Sequence, residues 1–300
     1  MEDPTGSMQA STATGCDDVS AVVHGRRRVT VSGVAVDGDV QSVESADGVP
    51  IVFDVSGNGA GKAALVFVHG WAGRREHWDE QREAFAHDRL VVRLDLAGHG
   101  ASGRARDRWS VGAFANDVVA VVDALGLDRM VLIGHSLGGS VIVEAARRLA
   151  GRVVRLVGVD TWSAIGVRKS ADELEASVLL PLMREDFDAG ARAFAALMCG
   201  PSTPVDLAAR VADDAASMTP QIAISILEDA IAAGPENFEQ TLRDLDVPRS
   251  CISSASFRPK DPAVLATFGI DSVVLPGTGH YLMLERPQAF NELLTAALVR

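Results

Sequence analysis

The sequence predicts an α/β fold in which a mostly parallel, doubly wound sheet carries an inserted, all-helical segment. Apolar runs of strand length alternate with amphipathic helical runs from about residue 39 to Trp162. The alternation then stops, and only helical periodicity is visible from residue 163 to about 245. Strand patterns return after this stretch, and a last helix follows them. Buried strands that alternate with helices are typical of βαβ units, whose helices cover both faces of a parallel sheet.

The elements of the first half follow in chain order. The alternating runs DVQSVES and VPIVFDV are joined at Asp47-Gly48, which is a hairpin signal. AALVFVHG is continuously apolar and ends in a glycine turn, as a buried parallel strand does. A helical stretch over 75–87 comes next, and RLVVRLDLAG, RMVLIGHS and VVRLVGVD are three more buried strands. The helices between these strands are FANDVVAVVDALG, which ends at Gly126, and SVIVEAARRLA.

The chain divides into three predicted parts. Residues 1–28, rich in Ser, Thr, Gly and Asp, are expected to form a disordered tail. Residues 29–162 and 246–300 are the predicted α/β core, in which VPRSCISS and DSVVLPG are the returning strands and PQAFNELLTAAL is the final helix. The remaining part, 163–245, is expected to be a helical cap with helices near 170–186, 189–199, 204–217 and 220–233.

Composition excludes several classes of partner. The excess of 40 acidic over 28 basic residues gives a formal net charge of −12, which disfavours nucleic acid and anionic membranes. The longest apolar runs are strand-sized, so we expect no membrane span. Three widely spaced cysteines without a metal-ligand pattern fit a cytoplasmic protein, and the run Arg26–Arg28 before VTVSGVAV leaves export as the minority alternative. A homodimer stays an open alternative.

The most informative stretch is GHSLG at residues 134–138. It matches the pattern G-x-S-x-G and lies between a predicted strand and a predicted helix. A sharp strand-to-helix turn forces the central Ser136 into strained backbone geometry, and the two glycines prevent clashes around it. The helix N-terminus adds a positive partial charge that favours a developing oxyanion. This context predicts that Ser136 is a nucleophile.

A serine hydroxyl needs an adjacent base near neutral pH, and His280 is the candidate among seven histidines. It lies in the glycine-rich loop PGTGH, between the last predicted strand and the last predicted helix. Catalytic groups in open α/β sheets gather at the carboxyl ends of the strands, where this loop belongs. His69 and His135 flank the same edge inside tight turns, and we expect structural roles for them.

Four motifs resemble those of the α/β-hydrolase superfamily: HGW at residues 69–71, DLAGHG at 95–100, GHSLGG at 134–139 and GTGHYLMLERPQAF at 277–290. They occur in the family's order, and the resemblance covers roughly residues 40–300. It implies an α/β-hydrolase fold and a serine hydrolase that needs no metal or organic cofactor. It also implies that the backbone N–H groups of Trp71 and Leu137 form the oxyanion hole and that the Trp71 indole lines the acyl pocket.

The acid that orients the histidine departs from the family's pattern. The family usually has it shortly after the strand that reads VPRSCISS here, but the following residues 255–259 contain no carboxylate. Asp160 ends the preceding core strand at the carboxyl edge of the sheet, and we favour it. Asp261 is the alternative, although it looks like the start of a helix. Asp95 belongs to the DLAGHG turn, and we interpret it as structural.

The sequence therefore predicts a serine hydrolase that cleaves a small to medium, neutral or apolar ester through a Ser-His-Asp triad and an acyl-enzyme. Perhydrolysis, lactone hydrolysis and carbon–carbon bond hydrolysis by the same triad stay open. A non-catalytic ligand-binding protein on this fold is a further alternative, supported by the missing acid after VPRSCISS. Six apolar residues of the predicted cap are candidates for an acyl pocket, although their helical spacing favours packing inside the cap: Met183, Phe187, Phe194, Leu197, Met198 and Met218.

Overall fold

The computed structural model describes residues 1, 40–59, 61–163, 165, 179–233, 235–258 and 261–299. The strands are β1 (Val40–Glu44), β2 (Pro50–Ser56), β3 (Ala64–Val68), β4 (Val91–Leu94), β5 (Met130–His135), β6 (Val153–Val159), β7 (Arg249–Ser254) and β8 (Ile270–Leu275). The helices are α1 (Asp79–Phe85), α2 (Val111–Ala124), α3 (Leu137–Arg148), α4 (Phe187–Met198), α5 (Val205–Ala216), α6 (Pro220–Ala233), α7 (Pro235–Asp244), α8 (Pro262–Thr267), α9 (Leu282–Glu285) and α10 (Pro287–Val299). A 3-10 turn, Arg75–Trp78, precedes α1, and residues 179–185 are also helical.

The strands form one eight-stranded sheet in the order β1-β2-β4-β3-β5-β6-β7-β8. β1 and β2 form the predicted antiparallel hairpin, β2 pairs antiparallel with β4, and all pairs from β4 to β8 are parallel. The predicted fold class, a mostly parallel sheet with helices, is therefore confirmed.

The connections explain why helices cover both faces of the sheet. α1 joins β3 to β4 in one direction across the sheet, whereas α2 joins β4 to β5 in the other direction. Right-handed crossovers that run in opposite directions put their helices on opposite faces. The packing agrees, because α2 contacts α3 and α1 contacts α10.

The same connections create a switch point between β3 and β5. Both strands are buried along their whole length and pair directly, with Val68 opposite Gly134 at their carboxyl ends. The chain leaves β3 toward one edge of the sheet and leaves β5 toward the other. Loops that diverge in this way open a crevice, which is where open α/β sheets bind ligands.

Between β6 and β7 the described residues contain helices and no strands. We call residues 179–244 the helical insertion. α4, α5 and α6 lie within a few residues of the predicted helices, and α7 was not predicted as a separate helix. The start of the helix predicted near 170–186 and the predicted tail after Met1 lie outside the described residues. In the part of the chain that the structure describes, no helix is both long and apolar enough to cross a bilayer.

Candidate active site

Ser136 lies between the last residue of β5 and the first residue of α3, with φ 51° and ψ −119°. A residue other than glycine in such a sparsely populated region costs about 1–3 kcal/mol, so its surroundings must hold it there. The Ser136 N–H donates to the carbonyl of Val159 at 3.0 Å. The Thr161 hydroxyl donates to the carbonyl of Ser136 at 2.9 Å. The turn is thus braced by the two residues that flank Asp160.

The glycines of the motif are required by close backbone approaches. A Cβ atom on Gly134 would lie 2.3 Å from the carbonyl oxygen of Gly138. A Cβ atom on Gly138 would lie 2.6 Å from the carbonyl oxygens of Val68 and His69. Contacts this short do not occur, so only glycine at these positions lets α3 start directly behind β3 and β5. The sequence folds locally as a tight elbow that presents Ser136.

The ring of His280 is bound to Asp160. The distance from Nδ1 of His280 to Oδ2 of Asp160 is 2.7 Å. The Asp160 side chain is fully buried and accepts two further hydrogen bonds, from the Ser254 N–H at 2.6 Å and from the Ser254 hydroxyl at 3.1 Å. Because an ionised carboxylate only accepts, the proton of the neutral imidazole is on Nδ1. The unprotonated nitrogen, Nε2, is the one that can accept a proton.

Two neighbouring rings and a hydrogen bond hold the His280 ring beside the elbow. His135, the residue before Ser136, donates from Nε2 to the carbonyl of His280 at 2.9 Å, and the two ring centroids are 4.5 Å apart. The ring of Phe257 lies 4.6 Å from the His280 ring. Among the described residues, neither the Ser136 hydroxyl nor Nε2 of His280 makes a hydrogen bond. In unliganded enzymes such pairs are often long and shorten when substrate binds.

The loop after β3 packs against the elbow from the other side. A Cβ atom on Gly70 would lie 2.9 Å from Cβ of Ser136, which brings the next residue, Trp71, close to the serine. Leu137 is the first residue of α3, and its N–H therefore has no partner inside the helix. Trp71 thus follows a residue that contacts Ser136, and Leu137 follows Ser136 directly.

The indole of Trp71 contacts the helical insertion. Its Nε1–H donates to the carbonyl of Ala223 in α6 at 3.0 Å. Its ring meets the ring of Phe194 in α4 edge to face, with centroids 4.9 Å apart. The insertion therefore lies directly over the loop that carries Trp71.

His69 and His135 are buried and neutral. His69 accepts from the Leu96 N–H at Nε2, at 3.0 Å, and donates from Nδ1 to the carbonyl of Gly70 at 2.8 Å. It thereby ties the turn after β3 to the turn after β4. Burial lowers the pKa of His69 to about 3. Burial, with the nearby His280, lowers the pKa of His135 well below its ordinary value.

The two other predicted aspartates lie away from His280. Asp95 is fully buried in its turn and accepts from the N–H groups of Arg75 at 2.7 Å and Ala101 at 2.9 Å. Asp261 is exposed and caps α8, where its carboxylate accepts from the Ala263 N–H at 2.9 Å. The structure therefore brings Asp160, and not Asp261, to the histidine.

The six apolar candidates for an acyl pocket separate into different environments. Met183 and Met218 are buried, whereas Leu197 is 61% exposed. Phe187 is half-buried and packs against the core. Phe194 contacts Trp71, and the carbonyl of Met198 accepts from the His280 N–H at 2.8 Å. Of the six, Phe194 and Met198 are the two whose contacts with Trp71 and His280 place them at the site.

Sequence reasoning missed several residues that contact the site. Ser254 holds Asp160, and the only sequence signal for it is that it ends VPRSCISS, where a carboxylate was expected. Phe257 and the Met198 carbonyl contact His280 without any sequence signal that we can name. Within the described residues, no group of three or more His, Cys, Asp or Glu side chains is arranged to hold a metal ion.

The sequence model of the alpha/beta hydrolase family matches residues 65–293. The chain belongs to this family. This confirms the resemblance drawn from the four motifs, and the family is one of hydrolases.

Known proteins similar to this alpha/beta hydrolase carry several activities. It is 38% identical over 98 residues to the dihydrolipoyllysine-residue acetyltransferase component of the acetoin cleaving system of Pseudomonas putida, a match that covers 33% of this chain and 26% of that protein. It is 33% identical over 133 residues to a non-heme chloroperoxidase of Streptomyces lividans, which covers 44% of this chain and 48% of that protein. The chain thus spans less than half the length of these curated relatives.

Several solved structures are similar over nearly their whole length. One of them is that of Est816, described as an N-acyl homoserine lactone degrading enzyme. The two chains are 25% identical, the TM-score is 0.71, and the match covers 85% of this chain and 99% of the other.

Proposed function

We propose that this alpha/beta hydrolase cleaves carboxylic esters with Ser136 as nucleophile, His280 as general base and Asp160 as the acid that orients the base. One observation carries the proposal. The 2.7 Å contact between Asp160 and Nδ1 of His280 leaves Nε2 as the unprotonated nitrogen, and His135, the residue before the strained Ser136, binds the carbonyl of His280. This is the arrangement that serine activation requires.

In the first half of the reaction, Nε2 of His280 takes the proton of Ser136 while Oγ bonds to the acyl carbon. The carbonyl electron pair moves to its oxygen, and the N–H groups of Trp71 and Leu137 bind this oxyanion. When the carbonyl re-forms, the bond to the alcohol oxygen breaks, and the His280 imidazolium gives its proton to the departing alkoxide. Asp160 stabilises the imidazolium throughout.

In the second half, water takes the place of the alcohol. Nε2 of His280 removes a proton from water as the water oxygen bonds to the acyl carbon of the Ser136 ester. The same two N–H groups bind the second oxyanion. The bond to Oγ then breaks, Ser136 regains its proton from His280, and the carboxylic acid leaves. Every step uses groups of the chain and water.

The helical insertion serves as a cap in this proposal and favours a neutral, apolar acyl group. Trp71, Phe194 and Phe257 bring aromatic surface to the vicinity of Ser136 and His280. A lactone is a cyclic ester and passes through the same steps, and the likeness to Est816 makes lactones a second substrate class to test. The likeness to a chloroperoxidase keeps perhydrolysis as an alternative use of the same triad.

The nucleophile is tested with Ser136→Ala. We expect hydrolysis of p-nitrophenyl acetate to fall by at least about 10³-fold, since the hydroxyl that attacks is gone. A fluorophosphonate probe should label the wild-type protein and not the variant, while circular dichroism shows both to be folded. Folded wild-type protein that neither labels nor hydrolyses p-nitrophenyl esters or lactones would instead support a non-catalytic ligand-binding protein.

The acid is tested by comparing Asp160→Asn with Asp261→Asn. An amide at position 160 can donate to Nδ1 and select the wrong tautomer, so kcat should fall by about 10⁴-fold. Asp261 is exposed and only caps α8, and asparagine caps a helix as well as aspartate does, so its variant should keep kcat within about twofold and stay about as stable as the wild type. A larger loss of kcat at Asp261 would reverse the assignment.

A further inference from the structure

The end of α4 meets the loop that carries His280. The carbonyl of Met198, the last residue of α4, accepts a hydrogen bond from the His280 N–H at 2.8 Å. Just beyond it, Gly200 and Gly279 pack backbone to backbone. A Cβ atom on Gly200 would lie 2.4 Å from the nitrogen of Gly279, and one on Gly279 would lie 2.1 Å from the nitrogen of Gly200. No side chain fits between the two segments.

The N–H groups of Gly200 and Gly279 both donate to other residues, so these two glycines meet through close packing of their backbones and not through a hydrogen bond to each other. The Gly200 N–H donates to Oγ1 of Thr203 at 2.8 Å, and the Thr203 N–H returns a bond to the Gly200 carbonyl at 3.1 Å. The Gly279 N–H donates to Oε2 of Glu285 at 2.8 Å. Two independently fixed turns therefore press against each other, one from the insertion and one from the core.

The same helix also reaches the oxyanion side of the site. Phe194 meets the Trp71 indole edge to face, at 4.9 Å. Phe194 and Met198 are four residues apart in α4, and residues at this spacing lie on one face of a helix, about 5–6 Å apart. One turn of α4 therefore carries both the Phe194 ring, which contacts Trp71, and the Met198 carbonyl, which binds the His280 N–H. α6 adds a second hold on the indole through the carbonyl of Ala223.

We infer that α4 is a positioning element that fixes the distance between the Trp71 N–H and the His280 ring, with Gly200 as the residue that seats it. The inference rests on the proposed function, because it assigns the spacing of groups that act on the ester. It also means that α4 stays on the core during turnover. Moving it away would break the bond to the His280 N–H and release the Trp71 indole at the same time.

The first test is Gly200→Ala. The added methyl must push the segment 278–280 or the end of α4 aside, which shifts the base relative to Ser136. Misplacements of about 1 Å cost up to about 10²-fold in rate, so kcat for p-nitrophenyl acetate should fall by roughly tenfold or more with KM within about twofold. The matched control is Gly112→Ala in α2, whose new Cβ would lie 3.2 Å from the flexible end of Arg148 and should leave kcat unchanged.

A second pair covers the case in which Gly200→Ala fails to fold. Thr203→Val keeps the size of the side chain but removes the oxygen that binds the Gly200 N–H, whereas Thr203→Ser keeps the oxygen. The valine variant should lose kcat severalfold, and the serine variant should not. A purely structural role would instead lower the melting temperature of the valine variant while leaving its kcat unchanged.

A third pair tests the oxyanion side. Phe194→Ala removes the ring that meets Trp71, and Leu197→Ala removes a side chain of the same helix that is 61% exposed. Phe194→Ala should lower kcat even for the acetyl ester, whose short acyl group has little to gain from pocket contacts. A change confined to KM for longer esters would mean that Phe194 only lines a pocket, and the positioning inference would then be wrong for that side.

The outcomes separate this inference from the proposed function. Wild-type protein without hydrolysis or probe labelling overturns both. Active wild-type protein together with folded Gly200→Ala and Thr203→Val variants of unchanged kcat overturns the positioning inference and leaves the triad untouched. Loss of kcat in both variants, with normal rates in Gly112→Ala and Thr203→Ser, supports it.

Discussion

At the scale of single residues, the carboxylate of Asp160 depends on Ser254. Both side chains are completely buried, and Ser254 donates to Asp160 from its N–H and from its hydroxyl. Asp160 also has a positive φ of 46°, so its own backbone is strained and the neighbouring strand end must fix it. Ser254 therefore holds the carboxylate at the place where it meets Nδ1 of His280.

We expect Ser254→Ala to lower kcat for p-nitrophenyl acetate by roughly tenfold or more, with KM little changed. The variant keeps the N–H bond to Asp160 but loses the hydroxyl bond, and because a hydrogen bond to a charged group contributes about 1.5–3 kcal/mol, the carboxylate is held less firmly beside His280. The control is Ser253→Ala at the adjacent residue, which is just as buried; within the described part of the chain its hydroxyl hydrogen-bonds only with the Cys251 thiol, at 3.3 Å. Equal rate losses in both variants would point to general damage to β7.

The sequence pointed to candidate site residues where their proposed role follows from local pattern. The G-x-S-x-G stretch singles out Ser136 because its strand–turn–helix context is local in sequence. Asp160 was preferred to Asp261 because it ends an apolar strand, and the contact with His280 agrees with that choice. Ser254 could not be found in this way, because it acts on a residue 94 positions away through the pairing of β6 with β7.

At the scale of elements, the alternation of strand and helix was readable because burial imposes periodicity. Helices that begin at a proline were predicted in part: the predicted starts at Pro220 and Pro287 agree with the structure, whereas the helix that starts at Pro235 was not predicted separately. Four helices begin at a proline: α6 at Pro220, α7 at Pro235, α8 at Pro262 and α10 at Pro287. Proline lacks an N–H, and the first turn of a helix does not need one, so proline starts these helices instead of ending them.

At Gly138, α3 packs closely against the end of β3. Gly138→Ala would bring a methyl group to 2.6 Å from the carbonyl oxygens of Val68 and His69. Since neither backbone can yield, α3 must move outward and take the elbow with it. We expect a loss of about 1–3 kcal/mol in the free energy of unfolding, measured by urea titration, and a fall in kcat of more than about tenfold.

Gly112→Ala again provides the control, because it is a helical glycine without a backbone neighbour at its Cβ position. Alanine is the better helix former by about 0.5–1 kcal/mol, so this variant should be at least as stable as the wild type. Wild-type stability and rate in Gly138→Ala would mean that the elbow has more room than these distances allow.

At the scale of the whole molecule, the sequence predicted a parallel sheet but not the order of its strands. That order depends on which crossovers run toward each edge, and periodicity carries no such information. The switch point between β3 and β5, the crevice beside it and the contacts of α4 with the loops that carry Trp71 and His280 all depend on this topology. The substrate also depends on how the insertion closes over the crevice, which explains why helical spacing alone could not separate Phe194 and Met198 from Met183 and Met218.

The buried histidines link the fold as a whole to pH. His69 and His99 lie with ring centroids 4.9 Å apart, and burial lowers the pKa of each to about 3. Nδ1 of His99 lies 3.0 Å from the carbonyl of Ala97 and donates to it, and its buried Nε2 has no partner among the described residues. Two charged side chains also act on the pKa of His99: Asp95 raises it and Arg104 lowers it, each by less than burial does. Neither ring gains a proton in the folded protein until the pH is far below neutral.

The low pKa values of His69 and His99 determine how the free energy of unfolding changes with pH. In the unfolded chain each ring takes up a proton near its ordinary pKa of 6.5, whereas in the folded protein it stays neutral down to about pH 3. The unfolded state thus binds more protons between these values, so the free energy of unfolding falls as the pH is lowered from about 6.5 to about 3.

His99→Asn keeps a donor for the Ala97 carbonyl but cannot titrate. The difference in unfolding free energy between about pH 7 and about pH 5, measured by urea titration, should therefore be smaller in this variant. The matched control is His87→Asn, which replaces a ring whose side chain is 73% exposed. An unchanged difference in His99→Asn would show that the ring is protonated in the folded protein as easily as in the unfolded chain.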